Sequence, residues 1–383
     1  VPILVGLGAR PRELGHIPLE GFVDLRKFAP FAGAAVLSVS VLAGCGGGGN
    51  DDNTAAGGSS DASCALAGAE DPGNSEAPSD VPTADKAPKL TKTSGLKVAF
   101  SQNASNNPWR LAETASMKDE AKKQGIQLTV TDANNDQSKQ IADIKGLIAQ
   151  KPDALFIAPI TEQLANVVKD AGAAGIPVFL LDRAVDDSVA VPGQDFVTVI
   201  QSDFIQEGKR AAVQMATATG GNAKIIELEG TTGASPAIDR KKGFDDAIKE
   251  CSGMQVVVSQ DGDFTRAKGQ SVAETLLQSH PEATAIYAHN DEMALGAIAA
   301  VKAIGKVPGK DIQVVSIDGE KDGLKAVAAG DLYATVECSP RFGPSAFQTM
   351  KDYASGKPVK TLIINSDQLF TKDNASDNVD KAY

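Results

Sequence analysis

The sequence predicts an α/β protein of two similar halves, each a parallel sheet covered on both faces by helices. Short unbroken apolar runs read as strands buried on both sides. The clearest is Ile176 to Leu181, bounded by Gly175 and then by Asp182-Arg183. Such runs alternate with segments of helical period, and the alternation starts afresh midway along the chain. Polar side chains follow the strand ends, where open α/β sheets form their binding crevice.

In chain order, residues 1–25 have no clear pattern. Arg26-Lys27 then precede Phe28 to Leu42, apolar but for small residues and Pro30. Positive charge, a short apolar core and small residues before a break describe a secretory signal. The stretch is too short for a comfortable membrane span. It ends at Leu42-Ala43-Gly44-Cys45, matching the bacterial lipobox, whose cysteine becomes the lipidated first residue. Residues 1–45 are therefore expected to be a signal peptide, with Cys45 as the lipidation site. With the charged pair so far inside, translation is expected to start near Val23.

Gly46 to Gly49 open a tract rich in Gly, Ser, Ala, Asp and Pro. It has few bulky apolar residues, so residues 46–95 are expected to form a disordered tether. The glycine run is no phosphate loop, because no strand precedes it and no Lys-Ser/Thr follows. Cys64 lies in this tract and is free to pair with Cys251 or Cys338 in an oxidising exterior.

From Leu96 the pattern becomes regular. Lys97 to Ser101 reads as a strand, and Pro108 opens a helix closed by Gly125. Gln127 to Thr131 is a strand, and Ile141, Ile144, Leu147 and Ile148 give a helix face. The strand Ala154 to Ala158, the helix face Leu164, Val167, Val168 and Ala171, and the strands at Ile176 and Phe196 complete the first half. The second half has strands at Lys224 to Leu228, Gln255 to Ser259, Ala285 to Ala288, Gln313 to Ile317 and Leu332 to Glu337. Helices between them carry Phe244/Ile248, Val272/Leu276, Ala294/Ile298/Val301 and Leu324/Val327. Two such halves are expected to face across a cleft, a preferred small-molecule site.

Composition narrows the partners. The chain has 383 residues, 42% hydrophobic and 22% charged, with a net charge of -12. That charge argues against a nucleic-acid partner. The cysteines form no CxxC, and His16, His280 and His289 lack metal-ligand spacing, so no metal and no cofactor are expected. No GxSxG elbow, HExxH or P-loop appears, so the chain is not expected to be an enzyme.

The candidate site lies at the strand ends. Asn106 and Trp109-Arg110 follow the first strand and Asp182-Arg183 the fourth. Arg240 follows a Gly/Thr loop, Asn290 follows His289, and Asp318 precedes Gly319. Each has a plainer role open to it. Asn290 suits a helix N-cap, Asp318-Gly319 a turn, Arg240 a solvated face beside Lys241-Lys242, and Trp109 a core position. Their common placement favours a shared crevice. Carboxylates and guanidinium forks together suit a polyhydroxylated small molecule.

The segments Asn107 to Arg110, Leu181 to Arg183, Gly233 to Gly243, Tyr287 to Gly296 and Ser316 to Gly319 resemble, in order, those of type I periplasmic sugar-binding proteins of ABC importers. The likeness covers about Leu96 to Tyr383 and is nearest the galactofuranose-binding branch. It implies two Rossmann-like lobes, residues 96–202 with 339–365 and 203–338 with 366–383. Three hinge crossovers would join them near Ser202, Cys338 and Asn365. It implies that Trp109 lies flat on a sugar ring, with Asn106, Arg110, Asp182, Arg183, Arg240, Asn290 and Asp318 on its oxygens. The partners implied are a monosaccharide and the importer's membrane subunits, with the protein a monomer outside the cytoplasm. Many relatives carry an aromatic pair where this chain has Trp109-Arg110, and some pyranose binders have Gln or Asn where Cys338 stands. Both departures favour a furanose. Another sugar-like ligand, such as a pentose, an inositol or a signalling furanose, and an enzyme acting on a sugar are the alternatives. A regulator of this fold would need a helix-turn-helix, where this chain has a lipobox.

Overall fold

The computed structural model describes residues 64–383. The signal peptide, Cys45 and the first part of the expected tether lie outside the described residues.

In the first half, β1 (Lys97–Gln102), β2 (Gln127–Asp132), β3 (Ala154–Ile157), β4 (Val178–Leu181) and β5 (Thr198–Gln201) alternate with α1 (Pro108–Lys123), α2 (Gln137–Ala149) and α3 (Ala165–Ala173). The second half runs through α4 (Phe204–Thr219), β6 (Asn222–Glu229), α5 (Ser235–Ile248), β7 (Gly253–Asp261), α6 (Arg266–Ser279), β8 (Ala285–Ala288), α7 (Asp291–Ala303), β9 (Gln313–Asp318), α8 (Lys321–Ala329) and β10 (Ala334–Glu337). The chain then adds α9 (Gly343–Ala354), β11 (Leu362–Ile364), β12 (Leu369–Thr371) and α10 (Ala375–Asn378).

These strands form two six-stranded sheets of matching order, β2-β1-β3-β4-β5-β11 and β7-β6-β8-β9-β10-β12. All pairings are parallel except that β12 runs antiparallel to β10. The chain passes between the sheets after β5, after β10 and between β11 and β12. The fold is thus two parallel-sheet α/β lobes, with one reversed edge strand that the apolar pattern did not reveal.

Local chemistry explains the elements. Asn107 caps α1 by accepting from Arg110 N, and Pro108 fills the first turn, where its missing N–H costs nothing. Gly125 follows with φ +66°, the left-handed turn that ends the helix and turns the chain into β2. β3 and β4 are wholly buried because helices cover both faces. On one face of the first sheet Phe156 meets Phe179 and Phe347 with ring centroids 5.4 and 5.2 Å apart. In the second lobe Phe244 stacks on Tyr287 at 4.0 Å.

Residues 64–95 depart from the expected disordered tether. Cys64 is disulfide-bonded to Cys251, leaving Cys338 free and buried. Ala84, Ala87 and Leu90 are buried. The tract cannot form a core of its own. Instead it lies on surfaces that the two lobes already provide, held by the disulfide and by polar bonds such as the Asp71–Arg210 ion pair at 2.8 Å.

Candidate functional site

The carboxyl ends of both sheets converge on one cavity of about 310 Å³, counted with its mouth. It is lined by Trp109, Arg110, Asp182 and Arg183 from the first lobe. Pro236, Arg240, Phe264, Asn290 and Asp318 come from the second, with Cys338 at the crossover after β10. Asp182 and Asp318 occupy equivalent places, just past β4 and at the end of β9, both with positive φ (64° and 132°). Non-glycine residues rarely adopt this conformation, and the strain is typical of binding sites.

The Arg110 and Arg240 guanidiniums are each hydrogen-bonded to buried carboxylates. Arg110 bonds to Asp182 and, at 2.8 Å, to Glu113, which also accepts from Gln102 at 2.9 Å. Burial opposes the Arg110 charge, but Asp182 and Glu113 outweigh it and lift the group above its ordinary value. Arg240 Nε donates to Glu207 at 2.7 Å and Nη1 to the His289 carbonyl at 2.6 Å; Nη2 stands 3.7 Å from Asp318. His289 is itself fixed by Glu227 at 3.1 Å. Arg183 differs. It donates to the Ile160 carbonyl at 2.7 Å, while its buried Nε stands 3.5 Å from Asp182 and makes no hydrogen bond. Burial, then the nearby Arg110, lower Arg183 to about 9. Burial drives the Asp318 carboxyl well above its usual range, against the pull of Arg240. The cavity therefore combines carboxylates and guanidiniums from both lobes, with one guanidinium nitrogen that makes no hydrogen bond.

Seven of the eight expected site residues line the cavity; the eighth, Asn106, does not. It is exposed, one residue before the helix cap, and its neighbour Asn107 lines the cavity instead. Asn290 is the helix cap and also lines the cavity. Its Oδ1 caps α7 through Met293 N at 3.0 Å, while Nδ2 donates to the Phe264 carbonyl at 3.3 Å. Arg240 is buried, not a solvated face. Trp109 is buried too, with the Arg110 guanidinium 4.3 Å over its ring. Phe264 was not singled out, although the Gly262-Asp263-Phe264-Thr265-Arg266 block contains it. It has φ +54° and faces Arg183 at 5.3 Å.

A family model described as "Periplasmic binding protein domain" matches residues 98–358. The chain belongs to this periplasmic binding protein family, in its type I sugar-binding branch. The galactofuranose-binding protein of Escherichia coli K12 is 40% identical to this periplasmic binding protein over 75% of the chain and 91% of its own length. The ribose import binding protein of Bacillus subtilis is 38% identical over 70% of the chain and 84% of its own. Among solved structures, the binding component of the arabinose ABC transporter from Shewanella sp. ANA-3, bound to L-arabinofuranose, superposes with TM-score 0.70. It is 42% identical, covering 74% of this chain and 95% of that one. The relatives matched are binding proteins, not enzymes.

The lobes of this periplasmic binding protein touch directly around the cavity. Glu162 N donates to the Gly233 carbonyl at 3.0 Å, Ala184 N to Ser235 Oγ at 3.0 Å, and Asn135 Nδ2 to Asp263 at 3.2 Å.

Proposed function

We propose that this chain is the extracytoplasmic substrate-binding component of an ABC sugar importer, and that it binds a monosaccharide in furanose form, galactofuranose first. The reading rests on one observation above all: guanidiniums and carboxylates from both lobes line one cavity, and Arg183 Nε, 3.5 Å from Asp182, makes no hydrogen bond to an acceptor there. A sugar hydroxyl supplies that acceptor and can donate in turn to Asp182 or Asp318. Bonds to charged partners are about twice as strong as neutral ones. A desolvated site of this kind rejects guests that leave its groups unpaired.

Binding works by hinge closure. The ligand contacts both lobes, so only the closed state gains every contact and its population rises. Trp109 and Phe264 form the apolar walls for the ring's C–H faces. The furanose preference draws on the relatives with furanose ligands, and on the two departures at Trp109-Arg110 and Cys338 that the resemblance brought out. Lipidation at Cys45 would hold the protein, as a monomer, at the outer face of the membrane beside the importer. The 38% identity to a ribose import protein keeps a pentose as the second reading. Calorimetry against a panel of aldoses, furanose-locked glycosides and inositols tests both. Tightest binding is expected for galactofuranose, and preference for ribose or an inositol overturns the reading.

A further inference from the structure

Residues 64–95 join the lobes a fourth time. Their first part is fixed to the second lobe. Cys64 is disulfide-bonded to Cys251 and rests on Gly221, where a Cβ would come within 2.3 Å of the Cys64 Cβ. Gly68 N donates to Thr217 Oγ1 at 3.2 Å, and Asp71 accepts two nitrogens of Arg210, each at 2.8 Å. Gln206 donates to the Gly73 carbonyl at 2.8 Å, and Ser75 donates to Asp203. All four of these partners stand on α4 or cap it.

The later part is fixed to the first lobe. Pro82 O accepts from Thr361 N at 2.8 Å, and Ala84 N donates to Val359 O at 2.9 Å. Lys86 N donates to Gly193 O at 3.1 Å, and the Tyr353 hydroxyl donates to Ala87 O at 3.0 Å. Only residues 76–81 lie between the two sets, about 20 Å of chain at full stretch. At the joint, Asn74 Oδ1 accepts from Asp367 N at 2.9 Å, and its Nδ2 donates to Ser366 Oγ at 3.0 Å. Ser366 and Asp367 are the crossover between β11 and β12. Neither Asn74 nor the disulfide lines the ligand cavity.

We propose that this segment is a disulfide-locked strap that holds the hinge closed and so lengthens the stay of a bound ligand. The idea rests on the closing-cleft reading above. Bonds made to both lobes when closed, and lost when they part, favour closure; bonds kept in both states do not. The tract has few large apolar groups to order it, so the disulfide supplies the restraint that keeps its polar bonds formed. Coupling needs both anchors. Releasing either end releases the hinge.

The test uses the full mature chain. Cys64→Ser with Cys251→Ser frees the second-lobe end; Tyr353→Phe keeps its ring and frees part of the first-lobe end. Ligand dissociation is followed by fluorescence of Trp109, the only tryptophan. Small-angle scattering reports lobe opening without ligand, and melting is measured alongside. Each variant is expected to speed dissociation at least about fivefold and to expand the unliganded protein. Combining them is expected to add nothing further. Lower melting temperatures with unchanged dissociation and scattering overturn the proposal, as do effects that simply add. If no sugar in the panel binds, the functional reading fails, and scattering alone decides the strap.

Discussion

Trp109 Nε1 donates to the carbonyl oxygen of Cys338 at 2.8 Å, across 229 residues of sequence. The bond ties the first turn of α1 to the crossover after β10, so the side chain that walls the cavity also touches a crossover between the lobes. Trp109→Ala removes both the wall and the bond. It is expected to weaken ligand binding by more than about 1 kcal/mol, read by calorimetry. Trp109→Phe, which keeps a ring, is expected to lose less. Equal affinities for all three proteins would take Trp109 out of the site.

Arg183 is the group that most needs a ligand. Arg183→Lys keeps the charge but loses the fork, so neither the Ile160 carbonyl nor the ligand is met with the same geometry. Affinity is expected to fall at least about tenfold, the effect of one charge-assisted hydrogen bond. Calorimetry reads the loss, and an unchanged affinity would mean that the free Nε is not used.

Gly230 tests the role of Phe264 without touching it. A Cβ at Gly230 would come within 1.9 Å of the Phe264 ring. Gly230→Ala must push that ring from its seat against the cavity. The fold is expected to persist by circular dichroism while ligand affinity drops. Full affinity in a well-folded Gly230→Ala protein would separate Phe264 from binding.

Stability should fall as pH rises through neutrality. Burial, then Glu207, raises the Asp367 carboxyl from 3.8 to about 8. The folded state thus holds a proton there that the unfolded chain releases near pH 4. This contribution is complete below about pH 4 and is lost progressively up to about pH 8. Asp291, raised by burial to about 6, acts in the same direction. Asp367→Asn keeps an acceptor for Ser339 N, which donates at 3.2 Å. Denaturant titrations from pH 5 to 8 are expected to show a shallower decline for this variant, by about one proton. Parallel curves would refute the assignment.

Much of this was legible in the sequence. The buried strands declared themselves because parallel strands covered on both faces must be apolar throughout, as Val178–Leu181 is. The cavity residues were found because strand ends in such sheets point into the crevice. What escaped notice was held by partners far away in sequence. Residues 64–95 look incapable of order because their order comes from Cys251, Arg210 and Tyr353. Asn107 caps the helix and lines the cavity, while Asn106 beside it took the functional assignment. Glu113 and Glu207 sit inside helices and give no sign that they neutralise Arg110 and Arg240.

The exchange of edge strands bears on synthesis. Sheet one is completed by β11 and sheet two by β12, both encoded after all the other strands. A nascent chain therefore carries two unfinished sheets until its final segment is made. Neither lobe can be cut out as one contiguous fragment.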